Sequence, residues 1–176
     1  MHRDAARPRR RRGGLRMLSL LLLILALTAC GFQLRGEARL PEAMKQTELV
    51  VADDTSPFVR ELERLLIANG VRLVEDGSEA SARLRITSER MRREALTIAG
   101  DARVREFVLI FEVAVSVIDA EGQVLMAEET LRLTRDYSFD EQQILAATRE
   151  EEFLRADLRQ SMAARVLRRL EGMGEA

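Results

Sequence analysis

This chain has almost no cysteine, histidine or lysine: its 176 residues include one of each, Cys30, His2 and Lys45. A lone cysteine excludes an intrachain disulfide, so the fold must hold without the cross-links common in exported domains of this size. A lone histidine at position 2 leaves no residues for a Ser-His-Asp or Cys-His centre, or for the usual zinc ligand sets. What remains for catalysis is carboxylates, which are numerous but without distinctive spacing, or a Ser-Lys pair built on Lys45 beside a predicted loop. No catalytic residue, no metal ligand and no cofactor is therefore assigned. A long apolar run is also missing. The stretch from Met17 to Ala29 is 13 residues, whereas crossing a hydrocarbon core takes about 20.

That short run has the layout of an export signal. Arg3, Arg7, Arg9, Arg10, Arg11, Arg12 and Arg16 precede it, and it breaks at Thr28 and Ala29. Leu27-Thr28-Ala29-Cys30 resembles the lipobox of bacterial lipoproteins, in which a branched residue and two small ones precede the modified cysteine. The expected boundaries are a signal peptide over 1–29 and a single lipid-anchored domain over 30–176, with 30–46 as linker and first segment. Cys30 is the expected lipid attachment, and the covalent lipid is the only non-protein group implied. Each buried methylene of an acyl chain contributes roughly 0.8 kcal/mol, so several chains make a stable anchor. Gly31 stands where an aspartate would resemble an inner-membrane retention signal, which points to the outer membrane. Either Met1 or Met17 begins the chain; a start at Met17 leaves the signal without its arginines.

Removing residues 1–29 takes away seven arginines and one aspartate, turning a net charge of −1 into −7. An acidic domain is a poor partner for nucleic acid, whose phosphates demand a basic face.

Within the mature segment, Glu48–Ala52 reads as a first strand ending in Asp53-Asp54-Thr55. Ser56-Pro57 then supplies an N-cap and a proline at the first helical position. Val59, Leu62, Leu65 and Leu66 recur at helical spacing up to an Asn69-Gly70 stop. From Ala82 the period changes to two, is disturbed around Met91–Glu94, where a bulge is expected, and partly resumes at Leu96 and Ile98. Val104–Ile118 is the strongest strand, with Phe107, Leu109, Phe111, Val113, Val115 and Val117 on one side. A turn at Asp119–Gly122 leads into Gln123–Tyr137, where Leu125, Ala127, Leu131, Leu133 and Tyr137 share a side. A long final helix follows. Ser138 with Glu141, and Thr148 with Glu151, both have capping-box spacing, so it begins near one or the other. Its stripe is Ile144, Ala147, Leu154, Leu158, Met162, Val166 and Leu170. The order strand, helix, three strands, helix predicts an α+β two-layer sandwich: a four-stranded mixed sheet with both helices on one face.

The arginines gather on the strands: Arg83, Arg85, Arg90, Arg92, Arg93, Arg103, Arg105, Arg132 and Arg135. In an acidic domain such a cluster suits phosphates and carboxylates, which guanidinium binds bidentately; equally, it suits a solvated sheet face paired with its own glutamates.

Several segments resemble the LptE family of lipopolysaccharide-assembly lipoproteins. They are Cys30-Gly31-Phe32-Gln33-Leu34-Arg35-Gly36, the helix ending Asn69-Gly70-Val71, the meander, and Tyr137-Ser138-Phe139-Asp140 through Ile144-Leu145-Ala146 to Glu151-Glu152 and Leu154. A final Arg168-Arg169-Leu170 closes the series. The resemblance implies two helices on a four-stranded mixed sheet and a non-enzymatic role. It implies a plug inside an LptD-like outer-membrane β-barrel that helps assemble the barrel and helps lipopolysaccharide reach the outer leaflet. The implied location is the periplasmic face of the cell outer membrane. Family contacts to lipopolysaccharide, carried over by position, fall on Arg103 and Arg105 near the hairpin tip and on Arg149 near the start of the long helix. The tip itself reads Ile98-Ala99-Gly100-Asp101, without a basic residue. The alternative is a periplasmic lipid-binding auxiliary lipoprotein of an ABC lipid transporter.

Overall fold

The computed structural model describes residues 40–98, 104–139 and 144–173, and of residues 97, 98, 104 and 105 the backbone alone. The signal segment, Cys30 and the loop holding Arg103 lie outside the described residues. No described helix is long and apolar enough to cross a membrane.

A short 3-10 turn, Glu42–Met44, carries the buried Met44 and leads into β1, Gln46–Val51. Helix α1, Pro57–Ala68, starts where the sequence places it. The buried Ser56 caps it, its Oγ accepting the Phe58 N–H at 3.1 Å, and Pro57 fills the first position, where a missing N–H costs nothing. The helix stops at Asn69, and Gly70 takes φ +83°, a left-handed conformation that a Cβ would strain. Phe58, Val59, Leu62 and Leu66 point into the core.

Immediately after this stop comes β2, Arg72–Val74, followed by the three long strands β3 (Ala82–Ile98), β4 (Val104–Asp119) and β5 (Val124–Ser138) and then α2, Ile144–Glu171. The sheet has five strands in the order β2-β1-β3-β4-β5, against the four expected. β1 runs parallel to both β2 and β3, while β3, β4 and β5 form the expected antiparallel meander. The extra strand is three residues long, too short to show a period in the sequence. It forms because α1 returns the chain beside β1, and Leu73 packs against the core.

Both helices share one side of the sheet and bury the odd-numbered residues of β4: Leu109, Phe111, Val113, Val115 and Val117 are fully inaccessible. On β3 the register shifts between Ile86 and Ser88, and again between Ala95 and Thr97, so the bulges flank the expected place. The first shift switches parity. Leu84 and Ile86 face the helices before it; afterwards Glu89, Met91 and Arg93 do, as partners of Val113, Phe111 and Leu109. That switch is the disturbance seen in the sequence. Similar shifts in β5 bring Met126, 5% exposed, into the core in place of Leu125 and Ala127, which are exposed.

Helix α2 is described from Ile144, so it is already formed before Thr148; residues 140–143 lie outside the described set. Thr148 caps nothing, since its Oγ1 donates back to the Ile144 carbonyl at 2.9 Å inside the helix. Ala147, Leu158, Met162, Val166 and Leu170 are buried as the stripe requires, but Ile144 is 56% exposed.

Candidate functional site

Two surfaces bear on function: the sheet face that no helix covers, and the end of the sheet where α2 begins.

On the uncovered face, β4 presents Val108, Ile110, Glu112, Ala114, Ser116 and Ile118, which alternate with the core residues. Five of those six are small or apolar, yet Ile110 is only 1% exposed. Its cross-strand partners are Arg92 on β3 and Thr134 on β5. A long side chain beside such a residue, as Arg92 is beside Ile110, can cover it with its stem while its charge stays wet. Those charges are paired. Arg92 donates to Glu112 at 2.5 Å and to Glu94 at 2.8 Å, Arg132 approaches Glu112 at 3.7 Å, and Arg83 bonds Glu48 at 2.5 Å. Thr87, the residue at the parity switch, donates to Glu128 at 2.7 Å. Hydrogen bonding from Arg92 holds the Glu112 carboxyl below its ordinary range, although burial works against it, and the positive charges of Arg92, Arg132 and Arg90 assist.

The strand arginines therefore do not act as one cluster. Arg93 and Arg135 lie on the helix side, bonded to Glu151 at 2.9 Å and Asp157 at 2.8 Å on α2. Arg83, Arg92 and Arg132 are neutralised on the open face. Arg85 and Arg90 are exposed and have no ion-pair partner among the described residues.

At the start of α2, Glu151 is the hub of a side-chain cluster. Its Oε2 accepts from the Tyr137 hydroxyl and from Arg93 Nη1 at 2.9 Å, and its Oε1 from Arg155 at 2.7 and 2.9 Å. Arg93 lies 4.5 Å over the Phe107 ring. Phe107 in turn stacks on Tyr137 at 5.8 Å and meets Phe139 edge-on at 5.7 Å. Burial pushes the Glu151 carboxyl up, but the hydrogen bonds from Tyr137, Arg155 and Arg93 outweigh it, so the carboxyl ionises below its ordinary range. Burial and the bond to Glu151 push the Tyr137 phenol up. The spacing that reads as a capping box in the sequence is instead a contact with the sheet, which no local motif reveals.

Of the expected contact residues, Arg149 is exposed on the second turn of α2, with no ion-pair partner among the described residues. Arg105 lies in β4 two positions before Phe107, and its side chain is outside the described set; Arg103 and Cys30 are outside it altogether. Arg93 of β3 bridges the strand that carries Arg105 and the helix that carries Arg149, since it touches both Phe107 and Glu151. Among the described residues no group of acidic side chains is arranged to hold a metal.

Two hollows complete the surface. A cleft of about 270 Å³ is lined by Val51, Val59, Ile86, Met91, Ser56 and Glu89, whose last two members bond each other at 2.9 Å. A groove of about 600 Å³ runs between β5 and α2 over Leu131 and Leu133, edged by Arg165, Arg168 and Arg169. Arg169 there is tied to Glu129 at 2.5 Å, and Arg165 donates to the Arg132 carbonyl at 3.3 Å.

The chain is similar to several lipoproteins. The chain is 28% identical over 157 residues to the LPS-assembly lipoprotein LptE of Photorhabdus laumondii, covering 88% of this chain and 85% of that protein. It is 26% identical over 159 residues to the protein of the same name from Pectobacterium atrosepticum, covering 87% and 83%. Among solved structures, an uncharacterized lipoprotein B from Nitrosomonas europaea superposes with a TM-score of 0.72 at 28% identity, over 83% of this chain and 94% of that one. The rare lipoprotein B from Shewanella oneidensis gives 0.64 at 25%, over 72% and 94%. The family model described as LptE, lipopolysaccharide-assembly, matches residues 44–170, from the turn before β1 to the last buried leucine of α2. The chain belongs to this family of non-enzymatic lipopolysaccharide-assembly lipoproteins.

Proposed function

We propose that the mature domain, anchored through a lipid on Cys30 at the periplasmic face of the outer membrane, seats inside an LptD-like β-barrel and assists lipopolysaccharide insertion there. The observation that carries this reading is the uncovered sheet face. Strands of 15–17 residues, roughly 50 Å long at about 3.3 Å per residue, present a broad surface whose charges are mostly neutralised in pairs. A barrel lumen is polar and wet, and a plug within it needs a rigid body with a polar, self-paired exterior. An apolar open face would instead favour a lipid-carrying cleft, as the ABC-transporter auxiliary alternative requires. The open face, which the helices leave free, is the surface offered to the lumen wall.

Lipopolysaccharide contact is assigned to Arg103, Arg105 and Arg149, on the resemblance and on the exposure of Arg149. Phosphate recognition by guanidinium is charge-assisted and bidentate, so reversing these charges acts directly on affinity. The triple variant Arg103→Glu, Arg105→Glu, Arg149→Glu should bind lipopolysaccharide at least tenfold more weakly with unchanged thermal stability; equal affinity removes the assignment. Purification of the tagged lipoprotein from detergent-solubilised envelopes tests the partner. A large outer-membrane barrel in near-equal amount supports the plug, and an inner-membrane permease in its place supports the transporter auxiliary.

A further inference from the structure

Helix α2 has 28 residues but is held unevenly. From Leu158 onward, Leu158, Met162, Ala163, Val166, Leu167 and Leu170 are buried. Of the first ten residues only Ala147 is, while Ile144, Leu145 and Phe153 are 56, 79 and 70% exposed. Hydrophobic packing therefore fixes the far part of the helix and leaves the first turns with little to hold them. Among the described residues, the polar link from those turns to the sheet is Glu151, which reaches Arg93 on β3 and Tyr137 on β5, while Arg155 braces it from the next turn.

Glu151 and Arg149 are two residues apart, about 200° around an α-helix at 3.6 residues per turn. Pinning Glu151 to the sheet thus turns Arg149 outward. Through Arg93 and the Phe107 ring, the same carboxylate also ties the helix to the end of β4 that carries Arg105. We propose that Glu151 is a positioning residue for lipopolysaccharide contact: it clamps the first turns of α2 to the distal ends of β3 and β5, so that Arg149 meets the ligand phosphates from a fixed helix start. This rests on the contact role of Arg149 given above.

The sign of the effect separates positioning from simple electrostatics. Glu151 sits between Arg93 and Arg155, so its loss makes this end of the protein more positive, and charge alone predicts tighter binding of an anionic glycolipid. Positioning predicts weaker binding, because a mobile helix start loses part of its binding free energy to ordering. The lipidated full-length protein in detergent is compared with Glu151→Gln, which keeps the side-chain volume, and with Tyr137→Phe, which removes one hydrogen bond. Amide hydrogen exchange across 144–155 and 158–170, and affinity for purified lipopolysaccharide, are measured on each.

With Glu151→Gln, exchange over 144–155 should accelerate about tenfold or more while 158–170 stays unchanged, and affinity should fall three- to tenfold. Tyr137→Phe should show the same changes at smaller size. Unchanged exchange at 144–155 overturns the clamp. Faster exchange with equal or tighter binding reduces Glu151 to a brace without bearing on the ligand. Binding that is sensitive to Arg105→Glu and Arg149→Glu but indifferent to Glu151→Gln overturns the positioning role alone. Insensitivity to those charge reversals removes the contact reading, and the positioning role with it.

Discussion

Ile110 and Leu158 are both fully buried, but by different means, and shortening each to alanine separates the two faces of the sheet. Leu158 is carried by α2 and lies in the core between the helices and the sheet. Ile110 lies on the uncovered face at 1% exposure, beneath side chains of its neighbouring strands. Leu→Ala and Ile→Ala changes at buried sites cost about 2–5 kcal/mol, and the spread reflects how far the surroundings relax into the space. Around Leu158 the neighbours belong to packed helices and strands, so relaxation is small and a cost of about 3.5 kcal/mol is expected. Around Ile110 the cover is flexible, and the arginine and glutamate stems can settle. A cost of about 2 kcal/mol is expected there. At about 4 °C per kcal/mol for a domain of this size, Leu158→Ala should lower the melting temperature by about 14 °C and Ile110→Ala by about 8 °C. Chemical denaturation with an unchanged slope checks that two-state unfolding holds. Equal losses at the two positions would mean that Ile110 is covered by something as rigid as a second layer. A loss below about 0.5 kcal/mol would mean that it is not covered at all. Either result refutes the description of the open face.

Ser56→Ala removes the cap on α1 and leaves Glu89 without its hydroxyl donor, and should cost about 1–2 kcal/mol by urea unfolding; a neutral result would mean that water replaces both bonds. The carboxyls of Glu112, Glu151 and Asp53 all ionise below their ordinary range in the folded state. Their stabilisation is therefore fully present above the unfolded carboxylate values, about 4, and is lost as pH falls through the depressed folded values. The urea midpoint should hold between pH 7 and 5 and decline below about 4.5; a midpoint rising toward pH 3 contradicts the sign. Cys30→Ala should abolish incorporation of labelled palmitate, and label persisting on that variant contradicts the assigned attachment.

Much of the fold is legible in the sequence because each long element declares its own period. The cap, proline and Asn-Gly stop of α1 are local chemistry, and β4 alternates without interruption. What escapes are features set by pairing between distant segments. β2 has too few residues to carry a period and exists only as a partner of β1. The parity switch at Thr87 makes the second half of β3 look disordered in pattern, because Leu84 and Met91 face the same side across an odd separation. Similar shifts put Met126, not Leu125, inside. The candidate site is less legible still. Glu151 fits a local capping rule by spacing, yet its partners Arg93 and Tyr137 are 58 and 14 residues away. The described arginines that look like one basic cluster are divided by strand alternation between two faces, and, Glu94 apart, their neutralising carboxylates come from other strands or from α2.

The central claim, that the open sheet face fronts a barrel wall, is tested most directly by photo-crosslinking in intact cells. A photoreactive residue is placed at Arg85, Thr130 or Thr134 on that face, each exposed and outside its ion pairs. The expected result is a high-mass adduct with one outer-membrane barrel protein from these positions. Efficient incorporation with no barrel adduct from any of the three would contradict the claim.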